Sequence, residues 1–260
     1  MSSVILYEVR SPAIVLTLNR PDRRNALNRE LITDLTAAVR QALADPQGRC
    51  ILLTGAGAAF CAGMDLAELA ASLDQPGEAE QVHQDAGHLA TLYDLIYTSP
   101  KPTLAAVNGP AVAGGAGLMT VCDLALAVPQ AKFGYPEVRR GLLAAMVMPH
   151  LLRLVGQRTA RELLLRGTLL DASQAVEAGL INAVVPADAL LDTAVQWARD
   201  LSDGGPEALA ATKQLLRDVA PITPEVGGQC RRESADARLR PEAKAGLRAF
   251  LAKRDNPWRL

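Results

Sequence analysis

The chain of 260 residues is 49% hydrophobic and 21% charged, which excludes a disordered protein and allows one large domain with its own core. Its 27 basic and 28 acidic side chains nearly cancel, and aromatic residues make up only 3%, so neither charge nor ring content favours a nucleic acid partner. No apolar stretch approaches the roughly 18 residues that a membrane span needs, so we expect no membrane partner either.

The few cysteines and histidines argue against a metal site and for a reducing compartment. The four cysteines, at positions 50, 61, 122 and 230, form no CxxC pair, and there are only three histidines. This pattern is typical of a cytoplasmic protein without disulfides or structural zinc. The first ten residues include Glu8 and Arg10 and lack a long apolar run, so they do not resemble a signal peptide.

Short apolar runs of strand length alternate with helical patterns over the first half of the chain. Asn28 is placed to cap a helix that Asp45-Pro46 would end. Strands are predicted at 4–10, 13–18, 50–54, 103–107 and 124–128, and helices at 29–44, 65–71, 78–97 and 114–122. Buried strands that alternate with helices indicate an α/β fold with a mostly parallel sheet.

From about residue 145 the pattern is helical almost to the end of the chain. Asp171 is predicted to cap one short helix. Four prolines each stand where a further helix could begin: Pro186, Pro206, Pro224 and Pro241. We therefore predict a core domain over residues 1–200 and a helical C-terminal region over residues 201–260, whose apolar faces suit an oligomer surface.

Three segments carry residue types that suit a chemical site. The segments 60–65 and 108–117 are small-residue turns between a strand and a helix, where the backbone can approach a ligand closely. Free N–H groups at a helix start favour negative charge, so two such turns facing one another would hold an oxyanion between two donors. The third segment, 132–138, offers one carboxylate, Glu137, on a turn that Pro136 stiffens.

The glycine-rich turn does not match the common nucleotide-binding motifs. Its glycines at 109, 114, 115 and 117 miss the G-x-G-x-x-G spacing, and no GK[ST] ending of a phosphate loop follows. The chain also lacks a G-x-S-x-G motif, which argues against a serine hydrolase.

The three segments belong to a longer series of motifs, at residues 19–27, 60–65, 106–109, 122–124, 133–137, 175–180 and 249–254. In order and spacing this series resembles the enoyl-CoA hydratase/isomerase family, the crotonase superfamily, over nearly the whole chain. The resemblance implies a spiral of ββα units, followed by a helical region that helps to form trimers, often paired into hexamers. The substrate would be an acyl-CoA thioester, and no separate cofactor is implied because coenzyme A is part of the substrate.

The resemblance also assigns roles to individual residues. The backbone N–H groups of Met64 and Gly114 match the family's oxyanion hole for the thioester oxygen. Phe250 and Lys253 match C-terminal positions that often reach coenzyme A, sometimes from a neighbouring subunit. Apart from the resemblance, Asp65 and Asp123 equally suit helix caps or turn carboxylates, and for Asp123 we expect this to be the main role. The positions that match the remaining coenzyme A contacts are Arg24, Ala26, Ala62, Asp65 and Leu66.

The catalytic pattern departs from that of the family's hydratases, which use two glutamates. The first would stand three residues beyond Gly114, where this chain has Gly117; the second, twenty residues later, is Glu137. The run at 141–148 is apolar where hydratases tend to carry glycines. The family's 3-enoyl to 2-enoyl isomerases use only the glutamate at the position of Glu137, which takes a proton from C2 while the oxyanion hole holds the dienolate. Isomerisation is therefore favoured slightly over hydration.

Other functions stay open at this point. A hydratase could recruit another acid from the variable loop at 74–80, and thioester hydrolysis, decarboxylation and dehalogenation also use an oxyanion hole. A non-catalytic subunit that binds acyl-CoA is consistent with Gly117, although the retained Glu137 argues against it. The basic pairs at 231–232 and 253–254 are the only local support for a nucleic acid role, and we expect them to be solvated helix faces.

Overall fold

The computed structural model describes residues 3–258 and has the α/β fold that the sequence predicts. Its strands are β1 (Ile5–Arg10), β2 (Ala13–Leu18), β3 (Cys50–Gly55), β4 (Thr103–Val107), β5 (Ala111–Val112), β6 (Leu124–Ala127), β7 (Lys132–Gly134), β8 (Leu169–Asp171) and β9 (Ala183–Val184). Its helices are α1 (Arg29–Ala44), α2 (Leu66–Ser72), α3 (Glu78–Tyr97), α4 (Gly114–Thr120), α5 (Met148–Arg166), α6 (Ala172–Glu177), α7 (Leu190–Ser202), α8 (Pro206–Val219), α9 (Pro224–Leu239) and α10 (Pro241–Leu251). Two 3₁₀ helices span Pro21–Arg23 and Pro136–Arg140.

The main sheet has the strand order β1-β2-β3-β4-β6-β9. Strands β1 and β2 form an antiparallel hairpin, and every later neighbour in the sheet pairs in parallel. All residues of β4 are buried, as expected for a parallel strand with both faces covered. A smaller sheet, β5-β7-β8, contains the strand that leads into the 3₁₀ helix Pro136–Arg140. The segment that carries Glu137 therefore starts from a strand end.

Local capping signals explain several helix starts. The Asn28 side chain accepts a hydrogen bond from the Leu31 amide at 3.0 Å, which confirms the predicted cap of α1. Asp171 caps α6 in the same way, at 2.9 Å from the Gln174 amide. Prolines begin α8, α9 and α10, as the sequence predicts.

Some predicted elements were wrong or missed. Pro186 does not begin a helix, because α7 starts only at Leu190. The expectation of continuous helix beyond residue 145 was wrong at β8 and β9, and β5 and β7 were also missed. These four strands have only two or three residues each, too few to display an alternating pattern.

The apolar residues form a large core and a smaller cluster. The large core joins the main sheet to helices α1 and α3–α7. The smaller cluster joins α2 and α3 to the C-terminal helices, through Leu69, Leu73, Val82, Ala86, Ala235 and Leu247. Helices α9 and α10 thus pack on the core of their own chain, while their part in an oligomer stays a prediction. Within residues 3–258, no helix is both long and apolar enough to cross a membrane.

Asp123 serves as a turn carboxylate between β4 and α8. Its Oδ2 accepts hydrogen bonds from the backbone amide and the hydroxyl of Thr103, at 2.7 and 2.9 Å, and pairs with the buried ammonium of Lys213. The Lys213 Nζ also donates to the carbonyl of Lys101 at 3.0 Å. Asp123 therefore ties the start of β4 to α8, in agreement with the structural role expected for it.

We expect Lys213→Met to lower the free energy of unfolding by about 2 kcal/mol, since it leaves the carboxylate of Asp123 without its cation. The loss should be smaller than for a fully buried pair because 32% of the Asp123 side chain is exposed. Urea unfolding checks this, with Lys132→Met as the control, because Lys132 is exposed. Equal stabilities of the two variants would contradict the role given to the pair.

Candidate active site

The turn at 60–65 and the glycine-rich turn lie side by side. The Cys61 amide donates to the carbonyl of Pro110 at 3.2 Å, and the Val112 amide donates to the carbonyl of Cys61 at 3.0 Å. On its other side the first turn is bound to Leu27, whose amide donates to Gly63 O at 2.7 Å and whose carbonyl accepts from the Asp65 amide at 2.9 Å. Backbone hydrogen bonds on both sides therefore fix the position of this turn.

Gly63 allows the two turns to approach each other this closely. Its φ is +89°, and a Cβ on it would lie 2.8 Å from the Cβ of Ala113 and 3.3 Å from the backbone N of Gly114. Only a glycine accepts both the positive φ and this contact. The amides of Met64 and Gly114 come together here, since a Cβ on Gly114 would lie 3.9 Å from Met64 N. Neither amide donates a hydrogen bond to another residue within the described chain.

A cavity of about 310 Å³ opens at these two amides. Eight of the ten residues predicted for the site line it: Ala26, Ala62, Met64, Asp65, Leu66, Gly114, Glu137 and Phe250. The apolar segment from Leu142 to Val147 forms one of its walls. The fold thus brings predicted site residues from both ends of the chain, such as Ala26 and Phe250, into one cavity.

Two predicted coenzyme A positions do not line this cavity. Arg24 is exposed, with a positive φ of 50°, and its carbonyl accepts a hydrogen bond from the Ala62 amide at 3.0 Å. Its neighbour Arg23 lines the cavity instead. Lys253 is exposed just after α10. Contacts of Arg24 and Lys253 with coenzyme A stay predictions.

Asp65 lines the cavity and is also engaged by the protein itself. Its Oδ1 caps α2 by accepting from the Glu68 amide at 3.3 Å, and its Oδ2 pairs with the guanidinium of Arg20 at 3.2 Å. Both carboxylate oxygens of Asp65 therefore already have partners within the protein.

Glu137 is the carboxylate of the cavity that has an oxygen without a hydrogen-bond partner among the described residues. Part of the residue is exposed, but this oxygen, Oε2, is fully buried. Burial raises the pKa of Glu137 to about 7, although a hydrogen bond from its own backbone amide and the guanidinium of Arg140 act in the opposite direction. A carboxyl group with this pKa takes up and releases a proton readily near neutral pH.

The position of the missing second glutamate is closed by other side chains. A Cβ on Gly117 would lie 2.3 Å from the hydroxyl oxygen of Tyr93 and 2.5 Å from Cγ1 of Val147. The Tyr93 hydroxyl donates to the carbonyl of Gly114 at 2.7 Å, and burial raises its pKa well above the usual value. Tyr93 therefore occupies this space and holds the start of α4 in place.

None of the acidic residues of the loop at 74–80, Asp74, Glu78 and Glu80, lines the cavity. Asp74 and Glu78 instead pair with Lys244 of α10, at 3.0 and 2.7 Å. These ion pairs lower the pKa of both carboxyl groups, so neither holds a proton near neutral pH.

Five polar residues of the cavity were not found by the sequence analysis: Arg23, Tyr93, Arg140, Ser234 and Arg238. Arg140 lies with its guanidinium carbon 4.1 Å from the ring centre of Phe250. Ser234 and Arg238 lie four residues apart in α9, where a helix brings both to one face. That spacing is a possible signal, but it does not reveal that this face meets a cavity.

Comparison with protein families gives one match over almost the whole chain. The family model described as Enoyl-CoA hydratase/isomerase matches residues 8–259. A protein of Thermus thermophilus, named provisionally as an enoyl-CoA hydratase, is 42% identical over 92% of this chain and 94% of its own length. A Mycobacterium tuberculosis protein named enoyl-CoA hydratase EchA19 is 35% identical over 96% of this chain and 94% of its own.

Solved structures agree with this result. The crystal structure of an enoyl-CoA hydratase/isomerase from Xanthobacter autotrophicus Py2 matches with a TM-score of 0.87 and 30% sequence identity. The match covers 100% of both chains. A second structure, that of EchA1_1 from Mycobacterium paratuberculosis, matches with a TM-score of 0.86 and 35% identity over 100% of this chain and 99% of its own.

Proposed function

The chain belongs to the enoyl-CoA hydratase/isomerase family, and from this we propose that its cavity binds an acyl-CoA thioester with the carbonyl oxygen between the N–H groups of Met64 and Gly114. Both amides lack an internal acceptor in the described chain, and they lie close together at the same cavity. Each such donor typically accelerates a reaction about 10²–10³-fold by stabilising the oxygen anion.

The coenzyme A part of the substrate would lie along Ala26, Ala62 and Leu66, with Phe250 closing over it from α10. All four residues line the cavity. The small side chains of the two alanines leave room for the backbone-like pantetheine, and the Phe250 ring is 45% exposed and so available for contact. Arg24 and Lys253 would reach the more distant phosphates.

We assign the proton transfer to Glu137 alone. Its carboxylate removes a proton from C2 of a 3-enoyl-CoA, and the electrons form a dienolate whose oxygen is held by the two amides. The carboxylic acid then returns the proton to C4, which leaves the double bond between C2 and C3. The observation that carries this proposal is the buried, unpartnered Oε2 of Glu137 in a cavity whose other carboxylate, Asp65, is engaged by Arg20 and α2.

Hydration of a 2-enoyl-CoA is the second candidate, because relatives of similar length are named as hydratases. Glu137 would then have to activate the water without a second glutamate. Tyr93 and Val147 fill the space that a side chain at position 117 would need. The apolar wall from Leu142 to Val147 is also poorly suited to hold that water. Both points favour isomerisation.

Parallel assays of the two substrates test the proposal. The wild-type protein should convert 3-hexenoyl-CoA to 2-hexenoyl-CoA, and it should hydrate 2-hexenoyl-CoA at least about tenfold more slowly. Fast hydration with no conversion of the 3-enoyl isomer would instead support the hydratase.

The rate should depend on pH through Glu137. Because burial raises the pKa of Glu137 to about 7, its basic form is scarce in acid and predominates above that pH. We expect kcat/KM for 3-hexenoyl-CoA to rise about tenfold per pH unit below pH 7 and to level off above about pH 8. A profile that stays flat from pH 5.5 to 8 would contradict the assignment of Glu137 as the base.

A further inference from the structure

The cavity contains a buried cation that the proposed proton transfer does not use. Arg238 of α9 is only 4% exposed, and it lines the cavity together with Glu137, Tyr93 and Ser234. It also borders an adjoining cavity of about 30 Å³, which includes Arg29, Asp85 and His88 in its lining. The guanidinium thus lies inside the protein next to the site where the acyl group would bind.

Arg238 has no anionic partner among residues 3–258. The one hydrogen bond that its side chain makes there is a long one, from Nη2 to the Ser234 hydroxyl at 3.4 Å. The carboxylate whose charge acts on it is Asp85, but both oxygens of Asp85 accept hydrogen bonds from Arg29 at 2.8 Å. Gln81 donates a further bond to Asp85 at 2.9 Å. Asp85 is therefore already satisfied by other residues.

An unpaired buried charge is unfavourable, so Arg238 is an unusual residue to find at this position. Burial lowers its pKa only to about 10, and the guanidinium remains protonated at neutral pH. Its donors are arranged as a planar fork, which suits the two oxygens of a carboxylate. A ligand that brings a carboxylate would complete the pair.

The surroundings of Tyr93 indicate that this cation lies near the reacting end of the substrate, because Tyr93 and Arg238 line the same cavity. The Tyr93 hydroxyl lies 2.7 Å from the carbonyl of Gly114, and the charges of both Glu137 and Arg238 act on it. Two other arginines line the cavity. Arg23 is exposed, and the guanidinium of Arg140 stacks on Phe250 and interacts with the charge of Glu137. Arg238 is therefore the cation best placed to meet the far end of a short acyl chain.

We infer that the acyl group of the substrate ends in a carboxylate, which pairs with Arg238 and accepts a hydrogen bond from Ser234. This inference rests on the proposed function, because it assigns a substrate class, short dicarboxylic acyl-CoA thioesters, to the same site. Arg238 is a specificity-determining residue in this arrangement and takes no part in the proton transfer.

Binding of saturated thioesters tests the inference independently of the reaction. Calorimetry should show that the wild-type protein binds hexanedioyl-CoA about 10- to 100-fold more tightly than hexanoyl-CoA, because the charged hydrogen bonds form only with the first. Arg238→Met should reduce this ratio to within about threefold and keep the affinity for hexanoyl-CoA. Arg232→Met, at an exposed position of the same helix, should preserve the wild-type ratio.

Equal affinities of the wild-type protein for the two thioesters would overturn the inference, as would an unchanged ratio in Arg238→Met. Removal of an unpaired buried charge should leave the melting temperature of Arg238→Met equal to or above that of the wild type. If that variant fails to fold, Arg238→Lys and Ser234→Ala replace it, and each should lower the ratio at least threefold. An unchanged ratio in both would again overturn the inference.

The reaction gives a separate readout. If the dicarboxylic thioester is preferred in binding but 3-hexenedioyl-CoA and 3-hexenoyl-CoA are both left unconverted, the proposed function fails and the assignment of Arg238 stands. If both are isomerised with similar kcat/KM and bound equally well, the assignment of Arg238 fails and the proposed function stands.

Discussion

Replacement of Glu137 by glutamine is expected to lower kcat/KM for 3-hexenoyl-CoA by about 10²–10⁴-fold, because the variant keeps the shape of the side chain and loses the proton acceptor. Affinity for hexanoyl-CoA should stay within a few-fold of the wild type, since the two donor amides and the coenzyme A contacts are unchanged. Glu177→Gln, at the exposed end of α6, is the matched control and should leave the rate unchanged. Equal turnover by the Glu137 variant would remove this residue from the mechanism.

The difference in the free energy of unfolding between the wild type and Glu137→Gln should depend on pH. Burial raises the pKa of Glu137 from 4.5 to about 7, so the folded state favours the protonated form. Its contribution to the free energy of unfolding is therefore fully present below pH 4.5 and is lost as the pH rises through about 7. Relative to Glu137→Gln, the wild type should lose up to about 3 kcal/mol between pH 4.5 and 8. Urea unfolding at both pH values measures this, and parallel stability changes of the two proteins would contradict the buried state of the carboxyl group.

Gly63→Ala is expected to lower kcat/KM by about 10²-fold or more, because the added methyl group pushes the second turn away and separates the two donor amides. The methyl carbon would start 2.8 Å from the Cβ of Ala113 and 2.9 Å from the carbonyl oxygen of Val112. The free energy of unfolding should also fall by about 2–4 kcal/mol, from the positive φ and the overpacking together.

Gly77→Ala provides the control for the backbone strain. Gly77 has a similar φ of +79°, but a Cβ on it would meet no atom within 4 Å. Its substitution should cost about 1 kcal/mol and leave kcat/KM within about twofold of the wild type. If the two alanine variants lose activity equally, the approach of the two turns is not what the reaction requires.

The sequence predicted the long elements of the fold well and the short ones poorly. Helix α3 and strand β4 have the bounds predicted for them, since each has a clear apolar pattern and is ended by a proline or glycine turn. The strands β5 and β7 were missed, because two or three residues contain no period. Their position in the smaller sheet depends on tertiary pairing that no local pattern reveals.

The sequence indicated most clearly those parts of the candidate site that consist of backbone turns. Small-residue segments in the sequence mark the turn at Gly63 and Met64 and the start of α4 at Gly114. The order of the motifs along the chain indicated that Glu137 belongs to the same site. In contrast, Tyr93 and Arg238 lie in helices whose sequences do not distinguish a cavity-facing position from a core or surface position. Their positions in the cavity depend on how α3 and α9 pack against each other, which is a property of the folded chain.

The fate of the C2 hydrogens tests most directly whether one carboxylate moves a proton along the acyl chain. The measurement is an NMR spectrum of the product formed in H₂O from 3-hexenoyl-CoA that carries deuterium at both C2 positions. We predict a 2-enoyl thioester that has lost one deuterium from C2 and contains part of it at C4, and no such product with Glu137→Gln. Retention of both deuterium atoms at C2, in a wild-type protein that still binds hexanoyl-CoA, would contradict the account.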